Sequence, residues 1–289
     1  MRTPVIAFVA ALVCGSIARA SGGLPNPYWA PGSVTATGAK IDVLLNTIFW
    51  LTFAVFVATQ SVFVYYLVKY RRRAGVRALY SHGNNRLEIV WTAIPAVIFL
   101  LLAVVGNRMW LDITSGAPED ALKVNISSYQ FGWDMRYAGA DGKLGAIEVG
   151  KVGLENKFGL SPDDPAAADD FTTMELVIPA GRPVHVYLNS RDVIHSFYVP
   201  AFRLYQDAVP GRTITWVWFE VDRPGKFELA CSQLCGTGHY NMKAPIRVLP
   251  PAEFDAWYAE KSRAALRARG GPPGLAPRVA SSVPSDNAP

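Results

Sequence analysis

The hydrophobic rhythm of this chain changes three times. An apolar run, Pro4–Ile17, follows Arg2 and ends in Ala18-Arg19-Ala20. A positive start, a short apolar centre and a small-x-small end predict a secretory signal over residues 1–20. The run is short for an uncleaved anchor, which needs about 20 apolar residues. An exported segment, 21–41, comes next. Val43–Val68 then runs 26 positions without a charge. At 1.5 Å per residue that is roughly 39 Å, enough to cross a hydrocarbon core of about 30 Å with tilt. Ile89–Gly106 adds 18 apolar positions, with Asn107 and Arg108 able to snorkel at its end. Pro95 is expected in the first turns of that helix, where a missing N–H costs least. Residues 42–110 therefore read as a transmembrane hairpin.

From Lys123 the rhythm shortens to alternating runs broken by Gly, Pro and Asp. "TMELVIPAG", "RPVHVYLNS", "SFYVPAF", "TITWVWFEV", "GKFELAC" and "APIRVLP" read as strands. Their spacing suggests an all-β antiparallel sandwich or barrel over 111–250, a length ample for one core. The lack of long amphipathic helices there argues against a βαβ architecture. Pro251–Arg269 reads as one amphipathic helix with Phe254, Trp257, Tyr258 and Ala265 on a shared face. After Gly270 the chain is rich in Pro, Ser and Ala, a composition that predicts a disordered tail to residue 289.

Charge orients the hairpin. The loop 69–87 contains Lys69, Arg71, Arg72, Arg73, Arg77 and Arg86 and no acid. An excess of Lys and Arg places a loop in the cytoplasm, so the chain after Trp110 lies outside. The formal net charge of +5 belongs mostly to this loop and the termini. Leu111–Pro250 has 17 acids against 13 bases, and such a surface suits a basic partner by steering. Nothing in the pattern points to nucleic acid.

Candidate chemistry is concentrated in "CSQLCGTGHYNM", 231–242, where the strand "KFELA" ends in a turn. Cys231, Cys235, His239 and Met242 are soft or borderline donors, and His195 stands 36 residues before Cys231. In an exported domain two cysteines first suggest a disulfide. That pairing leaves His239 and Met242 unexplained. A structural zinc of two Cys and two His leaves the methionine idle. Two thiolates, two imidazoles and a thioether exceed the needs of one tetrahedral ion. Two copper ions sharing both sulfurs is the economical solution. His185 alternates with valines and reads as an ordinary strand residue, and His82 has no donor set near it. No CxxCH is present for a c-type haem.

"DVIHSFYVP", "DAVPGR" and "CSQLCGTGHYNM" together resemble subunit II of haem–copper cytochrome c oxidase. "LEIVWTAIP" resembles that family's second span, and "SYQFGWDMRY" its aromatic stretch, so the likeness covers roughly residues 40 to 250. The resemblance implies a cupredoxin-like head with a dinuclear copper A centre. Cys231 and Cys235 bridge both ions, His195 and Met242 complete one, and His239 with the Gln233 backbone carbonyl completes the other. It further implies a bacterial inner-membrane complex with subunits I and III. There a soluble cytochrome c or another donor delivers electrons, and subunit I reduces oxygen with proton translocation. Phe131 and Trp133 are its candidates for electron uptake, and Glu88 for the mouth of a proton path. A helix-dipole role for Glu88 is the plainer alternative.

The chain departs from the family pattern at several points. Phe131 and Gly132 stand where the family has aromatic residues including its usual electron-accepting tryptophan. Gln233 replaces a glutamate that often holds magnesium at the subunit I interface, which leaves that ion open. Tyr205 replaces a frequent lysine. Other readings remain at this stage. A membrane-anchored copper chaperone or storage module also exposes paired cysteines. A quinol oxidase subunit lacks the ligands, and nitrous oxide reductase needs a longer chain.

Overall fold

The computed structural model describes residues 31–268 apart from 78, 79, 81, 154, 162 and 212–214. The signal expected over 1–20 and the tail expected after Gly270 lie outside the described residues. The described residues form two compact units: a hairpin, Lys40–Ser115, and a head of residues 116–268 that also takes in residues 31–39.

In the hairpin, α1 spans Ala36–Lys69 and α2 spans Asn85–Thr114, both long and apolar enough to cross a membrane. Several hydroxyl side chains within α1 are satisfied by their own helix. Thr47 Oγ1 donates to the Val43 carbonyl at 2.8 Å, Thr59 Oγ1 to Val55 at 2.9 Å and Ser61 Oγ to Val57 at 2.7 Å. In hydrocarbon no water could take these hydroxyls. Asn84 caps α2, its Oδ1 accepting from the N–H groups of Arg86 and Leu87 at 3.1 and 3.2 Å. Because α2 starts at Asn85, Pro95 falls in the helix interior and not in the first turns as expected. Spanning helices tolerate such a residue because neighbours can re-satisfy the freed carbonyl.

The head is a β-sandwich of two five-stranded sheets. Its strands are β1 (Leu122–Tyr129), β2 (Gly132–Tyr137), β3 (Phe171–Thr173), β4 (Leu176–Pro179), β5 (Val184–Ser190), β6 (His195–Val199), β7 (Leu204–Ala208), β8 (Thr215–Phe219), β9 (Gly225–Cys231) and β10 (Lys243–Leu249). One sheet runs β3-β2-β1-β5-β8 and the other β4-β10-β9-β6-β7. The expected all-antiparallel pairing is corrected at two places: β1 with β5, and β4 with β10, run parallel. The chain enters the second sheet through β4 before β5 returns beside β1, so those neighbours are not joined by a hairpin. Alternation on β5 buries Val184, Val186 and Leu188 and turns His185 and Tyr187 outward. The inward set meets Val124, Ile126, Met135, Phe197, Leu229 and Ile246 in one core. A final helix, α3 (Pro251–Ala268), seats Phe254, Trp257 and Tyr258 against Tyr137 and Phe171.

Two further features were not anticipated. Residues 31–35 form a strap on the head: Val34 N–H donates to the Ala201 carbonyl at 3.0 Å, Asp222 N–H to Val34 at 2.9 Å, and Thr35 Oγ1 to Phe202 at 3.1 Å. The described part of the excursion 138–170 packs on β2, where Arg136 is completely buried. Its guanidinium pairs with Asp170 and donates to the Gly145 carbonyl. Burial pushes the Asp170 carboxyl up to about 6, against the pull of Arg136 and the Gly145 N–H.

Removing Asp170 leaves an uncompensated buried cation, so Asp170→Ala is expected to destabilise the head by about 3–5 kcal/mol. Denaturant unfolding at pH 8, followed by tryptophan fluorescence, measures this. A loss below 1 kcal/mol would show that the pair contributes little.

Candidate metal centre

The ligand loop is built by a hairpin that opens at one end. β9 ends at Cys231, which pairs with Phe197 of β6 and whose N–H donates to the Met242 carbonyl at 3.0 Å. β10 begins at Lys243, opposite Ala230. Between them the chain bulges through Gly236, at φ +136°, and closes in a short 3-10 turn, His239–Asn241. β6 begins at His195 and lies beside β9, so the imidazole enters from the neighbouring strand.

All six donors expected from the sequence converge here. The two sulfurs, Cys231 Sγ and Cys235 Sγ, are 3.9 Å apart. His195 Nδ1 is 3.8 Å from Cys231 Sγ, and the Gln233 carbonyl oxygen is 3.2 Å from it. His239 Nδ1 is 3.6 Å and Met242 Sδ 3.7 Å from Cys235 Sγ. His195, Cys231, Cys235 and Met242 are buried, and His239 is half-buried. Both cysteines are free, far from the roughly 2.05 Å of a disulfide. Each sulfur thus has one imidazole and one weak donor beside it.

Electrostatics favour a cation at this place. Burial, reinforced by the neighbouring Cys231 thiol, pushes Cys235 up to about 11. Two adjacent thiolates are costly here without positive charge between them, and a metal supplies it. The donor set has more soft groups than a single tetrahedral zinc uses, which fits copper.

Surrounding side chains hold the donors in place. Asp192 Oδ1 lies 2.8 Å from His195 Nε2, so Nδ1 is left to face the sulfurs. Burial works against ionisation of Asp192, but the hydrogen bonds from His195, Gln130 N–H and Val193 N–H hold its carboxyl below the usual range. Trp133 is buried, its ring edge-on to His195 with centroids 6.2 Å apart. Phe131 is 40% exposed and lies over the loop's glycines: a Cβ on Gly238 would come within 2.4 Å of its ring. Sequence reading did not single out Asp192 or Gln130. The Asp three residues before His195 in "SRDVIHS" was the available signal for the first.

Other expected residues lie elsewhere. Glu88 sits exposed in the first turn of α2, in the hairpin unit. His185 faces outward on β5 beside Tyr187 and Trp216, apart from the donor group, and His82 lies edge-on to Tyr80. Tyr205 shares a hydroxyl contact of 3.1 Å with Ser196, next to His195.

Two family models match the chain: cytochrome c oxidase subunit II, transmembrane domain, over residues 29–108, and the periplasmic domain of the same subunit over 165–249. An alternative cytochrome c oxidase subunit 2 of Bradyrhizobium diazoefficiens is 35% identical over 238 residues, 82% of this chain and 85% of the relative. Cytochrome c oxidase subunit 2 of Thermostichus vulcanus is 30% identical, covering 78% and 76%. The crystal structure of the periplasmic domain of cytochrome oxidase subunit II from Bradyrhizobium japonicum matches at 28% identity and a TM-score of 0.38, covering 52% of this chain and 99% of that one. A shared order of two spans and ligand-bearing head, and identity sustained across most of both chains, show that this protein belongs to the cytochrome c oxidase subunit II family.

Proposed function

We propose that this chain is the electron-accepting subunit of a haem–copper oxidase, with a dinuclear copper A centre in its head. The observation that carries this reading is the convergence of four further donors on two free sulfurs 3.9 Å apart. Cys231 and Cys235 would hold two copper ions jointly, with His195, His239, Met242 and the Gln233 carbonyl as terminal donors. Such a pair supplies one-electron exchange, with the charge shared between two metals. The chain's own part is to keep the donors still. β6, β9 and β10 fix their strand ends, and Asp192 fixes the His195 ring. Burial excludes water from both sulfurs.

The basic loop between the spans supports a head on the periplasmic side and a hairpin in the inner membrane. A soluble donor such as a cytochrome c is received at the exposed Phe131, and the nearby strand β2 packs Trp133 edge-on to His195. The electron leaves toward subunit I, where oxygen is reduced. Glu88 at the cytoplasmic start of α2 serves proton uptake into that subunit. A magnesium ion at the interface finds only an amide at Gln233 where the family offers a carboxylate.

The surface around Phe131 modifies the idea of electrostatic steering. Residues 193–199 and 231–242 contain no acid and no Lys/Arg, and the adjoining Arg191 and Asp192 are paired with Asp134 and His195. Val193, Ile194, Leu234 and Tyr240 are exposed there, the last two by 76% and 82%. The head's acidic excess lies outside these segments, and apolar contact dominates donor recognition.

Two experiments test this reading. Purified chain supplied with copper is expected to hold two ions per head and to show a mixed-valence spin spectrum with hyperfine coupling shared by both nuclei. Cys235→Ser is expected to abolish that shared pattern. A single colourless Cu(I) per wild-type chain would overturn the reading in favour of a copper-delivery module. Reduction by a soluble cytochrome, followed by stopped flow, is expected to change little with ionic strength. Phe131→Ala is expected to slow it roughly fivefold or more, the loss of an interface anchor worth above about 1 kcal/mol. A steep fall in rate with salt would instead restore charge steering.

A further inference from the structure

The turn between β1 and β2 is tied to the metal loop by a residue that lies outside the segments matched by either family model, namely Gln130. Its main-chain N–H donates to Asp192 Oδ2 at 2.7 Å, and Asp192 holds His195 through its other oxygen. Its side-chain Nε2 donates to the Cys235 carbonyl at 2.6 Å. One residue is therefore bonded to both ligand-bearing segments, 192–195 directly through the carboxylate and 231–242 through a main-chain oxygen.

Cys235 is the ligand most in need of such support. Cys231 belongs to β9 and Met242 adjoins β10, so the ladder holds both. Cys235 lies off the ladder, four residues beyond the end of β9, between the exposed Leu234 and Gly236. The loop is also shaped to admit the amide. A Cβ at Gly236 would come 2.9 Å from Gln130 Nε2 and 3.0 Å from the Phe131 ring. Glycine at 236 thus serves two needs, a backbone at φ +136° and room for Gln130.

We propose that Gln130 is a positioning residue of the copper centre: its amide fixes the Cys235 main chain, and with it the spacing of the two sulfurs, before metal arrives. The inference rests on the two-copper reading above. The hydrogen bond is made to the backbone and not to a donor atom, so it constrains geometry without competing for the metal. Removing the amide frees the Cys235 carbonyl to turn toward solvent. The sulfur then loses its fixed distance from Cys231, on which equal sharing of charge depends.

The test uses the full chain in detergent, copper-loaded, as wild type, Gln130→Leu and Gln130→Glu. Both substitutions keep the main-chain N–H to Asp192 and remove the side-chain donor at neutral pH. Wild type is expected to retain two coppers. Both variants are expected to lose copper to a competing chelator roughly 10-fold faster or more, the usual scale for outer-shell partners of metal ligands. Their hyperfine pattern is also expected to become unequal between the two nuclei. A residue with a merely structural role would move the unfolding midpoint and leave the spin spectrum unchanged. Variants that match wild type in both release rate and spectrum overturn the proposal. Should Gln130→Leu fail to fold, judged by near-ultraviolet circular dichroism, Gln130→Glu decides. A wild type that holds fewer than two coppers sinks the underlying functional reading, and that result is visible before any variant is compared.

Discussion

The head is organised around the difficulty of keeping two sulfurs close without letting them join. At 3.9 Å, Cys231 and Cys235 are near enough to share a metal and too far apart to be bonded. Burial, and then the neighbouring Cys231 thiol, make ionisation of Cys235 expensive. Only a rigid frame sustains such an arrangement. The frame comes from three adjacent strands whose ends present the donors, while the rest of the sandwich buries the side chains that keep those strands in register.

The frame explains why the two sheets are treated so differently. The sheet β4-β10-β9-β6-β7 carries every proposed ligand. The opposite sheet contributes support, through Trp133 against His195 and through the turn after β1. Its own outer face is partly sealed by the 138–170 excursion, at the cost of a buried guanidinium that needs Asp170. Buried ion pairs of this kind add little net stability, yet losing one member is severe. The sealing is therefore a specific arrangement and not a generic apolar cover.

Much of this was legible in the sequence because the relevant signals are local. The uncharged runs marked both spans, and the β9 run was read with its observed bounds, Gly225–Cys231. The spacing in "CSQLCGTGHYNM" marked Cys231, Cys235, His239 and Met242 as one group, and the fold brings them together. What stayed hidden was non-local. Parallel pairing of β1 with β5 depends on where the chain crosses between sheets, which alternation does not report. The start of α2 was missed because Asn84 and Asn85 read as loop, and Pro95 was misplaced as a result. Asp170 and Arg136 are 34 residues apart, and each alone reads as a solvated charge. Gln130 meets Cys235 across 105 residues, with no periodicity to announce the contact.

Phe131 and Gly238 occupy one volume between them, since even a methyl at 238 would intrude on the ring. Position 238 cannot gain bulk while the ring at 131 stays where it is. A lineage adopting a wider indole at 131 must keep a bare backbone opposite, and one that acquires a side chain at 238 must first surrender the aromatic ring. The bulk at 131 and the shape of the loop 231–242 are thereby inherited together.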